Sequence, residues 1–176
     1  NSSITVLDTN MGLSTKVVFS SYRFKGVLYL GTNNGAFYLD EENKELVLVE
    51  GTSGQFANFL EKDGRLYSGS GSVGLIEIIG KSFKTVRNND NYDFRVNLLK
   101  LSIADPKRML IRTNDGLASF YFNEISQEFG EESYLPRIGR RDLLERKQGG
   151  IWFNSDNDGE INLLLPAMAD GKMDFS

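Results

Sequence analysis

The chain has 176 residues, a formal net charge of −4, and neither Cys nor His. Lacking thiol and imidazole, it can form no disulfide, and Ser-His-Asp or Cys-His catalysis and His- or Cys-ligated zinc are excluded. The negative balance gives no overall pull toward nucleic acid or anionic lipid, and 40% hydrophobic with 25% charged residues is a globular composition, not a disordered one.

Taken in chain order, residues 4–7 read as a lone strand. The next four strands are expected over 16–24, 27–32, 36–40 and 45–50, separated by Lys25-Gly26, Asn33-Asn34-Gly35 and a polar turn at 41–44. Asn-Gly between alternating apolar runs signals a hairpin, because both central residues of a type I′ turn need φ > 0. A second set follows at 55–61, 65–70, 75–79 and 83–87, with Asp63-Gly64 as its first turn. A third lies at 96–104, 108–113, 117–122 and a weaker run near 127–130, with Asp105-Pro106-Lys107 in place of the glycine turn. A fourth has only three runs, 141–146, 151–155 and 161–165, after which the pattern stops. The stretch 140–147 reads equally well as one or two helical turns.

These sets are copies of one pattern. An apolar triplet centred on Tyr29, Tyr67, Leu110 and Trp152 is followed by a small polar pair, then by a turn bearing Gly35, Gly74, Gly116 and Gly159. The central residues stand 38, 43 and 42 positions apart. Strand repeats of about 40–50 residues belong to propeller blades. The expected fold is therefore all-β, a β-propeller segment of about four blades of four antiparallel strands. The blades fall at about 12–50, 51–88, 92–130 and 137–165, in one domain spanning 1–176. An open array leaves strand edges exposed. Either strand 4–7 completes the last blade, or it belongs to a preceding blade, or a second chain closes the ring as a homodimer.

Leu28-Tyr29-Leu30-Gly31-Thr32-Asn33-Asn34-Gly35-Ala36-Phe37 resembles the two-component regulator propeller repeat of bacterial sensor proteins. Lys147-Gln148-Gly149-Gly150-Ile151-Trp152-Phe153 is similar to the lead-in of that repeat, as are Gly12-Leu13-Ser14 and, in degraded form, Ala169-Asp170-Gly171-Lys172. The second copy departs with its Gly-Ser-Val-Gly turn, and the third with Arg112 where a small residue is expected. The resemblance implies the periplasmic sensor region of a membrane-anchored signalling protein whose output is a histidine kinase or a GGDEF diguanylate cyclase. No output motif occurs in this chain. The opening Asn-Ser-Ser, without Met, reads as a processed or excised segment.

Several local features suggest chemistry. The string 154–159 places oxygen-bearing residues before a glycine as the first half of an EF-hand does, but Leu165 stands where the bidentate Glu is required. The same string partly matches a sialidase-type Asp-box, which is a structural turn. Carboxylates for glycoside hydrolysis are available, yet Glu41-Glu42, Glu131-Glu132 and Glu124/Glu128 all fall in turn-like polar stretches, where a solvated role is expected. The cations between Arg137 and Lys147 read as a solvated face or a partner patch. Tyr29, Tyr67, Leu110 and Trp152 either pack between sheets or offer a stacking surface to a sugar.

The turns between second and third strands share one face of a propeller. That gathers Asn33, Asn34, Ser72, Asn114, Asp115, Asp156, Asn157 and Asp158 on a common rim able to bind a small polar ligand, carbohydrate included, or a protein. The same residues also serve tight turns for backbone reasons alone. No cofactor, metal or catalytic residue is expected. The alternatives are a carbohydrate-active propeller enzyme and a structural interaction scaffold.

Overall fold

The computed structural model describes residues 9–14, 17–90, 94–138, 143–147, 149–154, 160–169 and 171–175. They form two compact units, Asn1–Arg87 and Asn88–Ser176. The elements with described bounds are a 3-10 turn at Thr9–Met11 and seventeen β-strands.

In the first unit, β1 (Val18–Phe24), β2 (Val27–Thr32), β3 (Ala36–Asp40) and β4 (Glu45–Leu48) pair in chain order as an antiparallel meander. A second meander contains β5 (Phe59–Lys62), β6 (Arg65–Ser70), β7 (Gly74–Ile79) and β8 (Ser82–Arg87). Because side chains alternate across a strand, the register Tyr22↔Tyr29↔Tyr38↔Val47 sets one aromatic row on one face of the first sheet. That row packs against Phe56, Leu66, Ile76 and Ile78. The opposite face carries Leu30, Phe37 and Leu46, covered by Leu13.

The second unit holds a third four-stranded meander, β9 (Val96–Leu101), β10 (Arg108–Thr113), β11 (Gly116–Asn123) and β12 (Glu128–Pro136). Beside it are a three-stranded sheet, β13 (Leu143–Glu145), β14 (Ile151–Asn154) and β15 (Ile161–Leu164), and a hairpin, β16 (Ala167–Ala169) and β17 (Lys172–Asp174). Leu110 and Leu117 share a core with Leu143, Ile151, Met173 and Phe175. Four-stranded meanders packed face to face are propeller blades, as the repeat period predicts.

Several details refine or depart from the expectation. The Asn33-Asn34-Gly35 turn is not type I′: neither Asn has a positive φ, and Gly35 alone takes φ 138°. The doubly positive geometry occurs instead at Lys25-Gly26 (47°, 86°) and Asp63-Gly64 (50°, 71°), the turns that join the first two strands of each sheet. β12 runs nine residues to Pro136 where a weak strand ending near 130 was expected, because Tyr134 packs at a tilt against Phe94 and Leu135 packs against the core. Of the two readings of 140–147, the strand holds over 143–145. The pattern does not stop at 165, since β16 and β17 follow.

Candidate binding rim and the charged cavity

One buried hydroxyl recurs three residues after the central residue in the first three copies of the repeat; the fourth position, 155, lies outside the described residues. Thr32, Ser70 and Thr113 have no exposed surface. Thr32 Oγ1 donates to the Gly35 carbonyl (2.8 Å) and accepts from the Asn34 N–H (3.0 Å). Ser70 Oγ accepts from the N–H groups of Ser72 (3.0 Å) and Val73 (3.2 Å) and donates to the Ser53 carbonyl (3.0 Å). Thr113 Oγ1 donates to the Gly116 carbonyl at 3.1 Å. Each hydroxyl satisfies turn groups from beneath.

In the first unit the loop between β4 and β5 ties two of these turns together. Phe56 N–H donates to the Thr32 carbonyl (2.8 Å), and Thr52 Oγ1 accepts from Ala36 N–H (3.2 Å) while donating to the Val49 carbonyl (2.7 Å). A Cβ at Gly31 would collide with the Phe56 carbonyl, and one at Gly54 with Ser72 Oγ. Glycine at both places lets the loop lie this close. The result is one rim carrying exposed Asn33, Asn34 and Ser72. In the second unit, Asp115 is exposed and Asn114 half-buried. Their turn is bonded to neighbouring segments through Asn114 N–H to the Arg95 carbonyl (2.9 Å) and Arg137 N–H to the Asp115 carbonyl. Asp156, Asn157, Asp158 and Gly159 lie outside the described residues.

The repeat column is packing material. Tyr29 is buried against Tyr38 and Phe59, with ring centroids at 6.5 and 6.4 Å, and donates to the Gly80 carbonyl at 3.3 Å. Tyr67 is 1% exposed. Burial pushes its phenol up to about 12, with the Glu77 carboxylate adding to the effect and Arg65 opposing it. Leu110 is fully enclosed and Trp152 is half-buried. Gly74 has φ 74°, whereas Gly116 has an ordinary φ and is required because a Cβ there would collide with the Leu135 carbonyl.

Sequence reasoning missed a charged cluster in the second unit, and it assigned one member wrongly. Glu132 was expected to be a solvated turn residue. Instead it lies on β12 with its side chain 2% exposed, paired to Arg108, 3% exposed. Arg108 Nε and Nη2 donate to the two Glu132 oxygens at 2.8 and 3.2 Å, Nη1 donates to Asp105 at 3.1 Å, and Nη2 also reaches the Gly171 carbonyl at 3.3 Å. Ser119 Oγ completes the site on Glu132 at 2.7 Å. Burial works against the guanidinium charge, but Glu132 and Asp105 outweigh it and hold its pKa above the ordinary value. Nearby, Glu145 is buried and accepts from Ser102 Oγ (2.5 Å) and Ile103 N–H (2.6 Å). The available signal was Arg108 opening β10 ahead of the apolar triplet Met109-Leu110-Ile111, in a strand whose Arg112 is also buried.

A cavity of about 530 Å³ opens beside this cluster, lined by Asp105, Arg108, Glu145, Lys147 and the apolar side chains of Ile151, Leu165, Pro166, Met168 and Met173. Both carboxylates on its wall are already hydrogen-bonded within the protein, Asp105 to Arg108 and Glu145 to Ser102 and Ile103. They are not a bare acid–base pair.

No protein-family model matches the chain, and no curated protein sequence matches it. Solved structures do. The extracellular domain of BT3049 from B. thetaiotaomicron, described as a hybrid two component system, aligns over 86% of this chain and 21% of that one, with TM-score 0.54 and 22% identity. The extracellular domain of BT4673 from the same organism, likewise described, aligns over 90% and 23%, with TM-score 0.57 and 16% identity. XC5397 from Xanthomonas campestris, a gluconolactonase, aligns over 89% and 60%, with TM-score 0.52 and 10% identity. The chain thus spans about a fifth of the extracellular domains it matches. At these identities the likeness establishes the fold: a run of propeller blades.

Proposed function

We propose that the chain is the recognition segment of an extracytoplasmic sensor of the two-component type, with the turn rim of its blades as the contact surface. The observation that carries this reading is the construction of the rim. Buried hydroxyls at Thr32 and Ser70 hold the turns, so that Asn33, Asn34 and Ser72 project from a preorganised backbone. Amides and hydroxyls fixed in this way recognise polar ligands, carbohydrate or a protein's polar loop, at little ordering cost. Support also comes from the extracellular domains of BT3049 and BT4673, which share this fold. In the full receptor, binding shifts blade packing or dimer geometry and is relayed to an output across the membrane.

Titration with a panel of mono- and oligosaccharides, followed by melting temperature and calorimetry, tests the reading. A hit should lose at least about tenfold in affinity in the Asn33→Ala/Asn34→Ala variant, the loss expected for one or two removed hydrogen bonds, without a change in melting temperature. A ligand whose affinity ignores that variant would move recognition elsewhere. A second reading, lactone hydrolysis, is favoured by the likeness to XC5397 over most of this chain. Turnover of gluconolactone by the purified chain above the spontaneous rate would replace the sensor reading.

A further inference from the structure

The cavity of the second unit is built from three segments that the charged groups fasten together. Glu145 joins the end of β13 to the turn after β9 through Ser102 and Ile103. Arg108, at the start of β10, holds the terminal hairpin through the Gly171 carbonyl, and Glu132 accepts from Met173 N–H at 3.4 Å. The space so enclosed is two-faced. One wall is apolar, with Leu165 and Met168 69% and 57% exposed at its mouth and Met173 and Ile151 buried at its base. The other wall is charged. Its volume of about 530 Å³ falls in the usual range for small-molecule sites, which pair apolar walls with a few fixed polar groups.

The sign of that charged wall selects the ligand. Arg108 is saturated by Glu132 and Asp105, two carboxylates for one guanidinium. Glu145 adds a third carboxylate whose two donors are neutral. Lys147 is exposed at the rim, where water screens it. With the Arg108 charge offset by Glu132 behind the wall, the lining carboxylates Asp105 and Glu145 face only the exposed Lys147; Asp105 is partly exposed and Glu145 is buried at low dielectric, a balance that favours a cation and penalises an anion.

We infer that this cavity binds a small amphipathic amine, its apolar body lying on Leu165, Pro166, Met168 and Met173 and its ammonium directed to Glu145 and Asp105. This site is separate from the turn rim and does not depend on it.

Three probes of equal shape read the sign: phenylpropylamine, phenylpropanol and phenylpropionate, titrated by calorimetry or by shifts in protein NMR signals. The amine is expected to bind at least about tenfold more tightly than the carboxylate, with the alcohol between them, the size of one charge-assisted hydrogen bond. Met168→Trp fills the mouth from an exposed position that folding tolerates, and should abolish binding of the amine. Asp105→Asn and Glu145→Gln should each narrow the amine-to-carboxylate ratio several-fold. Should Glu145→Gln fail to fold, the half-exposed Asp105 position still decides. Equal or tighter binding of phenylpropionate, no saturable binding of the amine, or amine binding indifferent to Met168→Trp would overturn the inference.

Discussion

In Asn1–Arg87 the two sheets meet through Tyr29, Tyr38, Phe56, Leu66 and Ile76, an interface of rings and branched chains. In Asn88–Ser176 the third sheet meets its neighbours through Leu110, Leu117, Leu143 and Ile151, and beside this apolar contact runs the buried Arg108–Glu132 pair. The apolar contact is driven by area and forgives small slips of position. The ion pair is directional: Arg108 and Glu132 each spend a bond on the terminal hairpin, whose two three-residue strands are too short to form a core of their own. The repeat thus keeps its period while exchanging area for directed hydrogen bonds where a small element must be held.

The largest expected effect comes from removing one side of that pair. Glu132→Ala leaves the Arg108 guanidinium buried beside only Asp105, and a broken buried pair costs about 3–5 kcal/mol. Replacing both members, Arg108→Met with Glu132→Leu, removes the desolvation cost along with the bonds and should recover most of the loss. Urea unfolding of the two variants measures the difference. A double variant less stable than Glu132→Ala would show that the hairpin bonds, and not the stranded charge, carry the cost.

The first unit has its own buried polar group, and it titrates. Tyr67 is raised to about 12 in the folded chain, above the ordinary phenol value near 10. The unfolded chain gives up that proton first, so the stabilisation is complete below pH 10 and falls away as pH climbs toward 12. Across that window the slope approaches about 1.4 kcal/mol per pH unit, or about 2–3 kcal/mol in all. Tyr67→Phe should flatten this alkaline limb in melts recorded between pH 9 and 12. If the limb is unchanged, another group governs alkaline unfolding.

The contrast also marks what the sequence could reveal. Period, strand alternation and turn chemistry are local, and they located nearly every strand of the four sheets. They also marked Asp63-Gly64, whose positive φ angles are those of a type I′ turn. The Arg108–Glu132 partnership spans 24 positions and reaches across one intervening strand, β11. Glu131-Glu132 has the composition of a surface turn, so only the sheet register that brings β12 beside β11 and β10 shows one acid inside. The β16–β17 hairpin was illegible for a related reason: its strands are too short to display a period, and it is held by Met173 and Phe175 in the neighbouring core together with bonds to the buried Arg108 and Glu132. The rim was partly legible, since Asn33, Asn34 and Asp115 announce turns. The loop at 49–58 that laces the first unit's rim has no signature beyond Gly51, Gly54 and the small residues near them.

The smallest effect separates the hydroxyl locks of the two units. Thr32→Val removes a donor to Gly35 and an acceptor for Asn34 N–H while preserving shape, and should cost about 1 kcal/mol with the rim loosened. Thr113→Val removes the equivalent bond to Gly116, but Tyr134 OH lies 3.3 Å from the same oxygen and can turn to other partners. Its cost should fall below that of Thr32→Val. Amide exchange at Asn34 should quicken in Thr32→Val, because its N–H loses the acceptor, while exchange at Asn114 should not change in Thr113→Val, since that N–H is held by the Arg95 carbonyl. The paired result would show that the first unit's rim depends on its hydroxyl and the second unit's on the Arg95 carbonyl that precedes β9. Equal quickening at both amides would mean that the two turns are built alike.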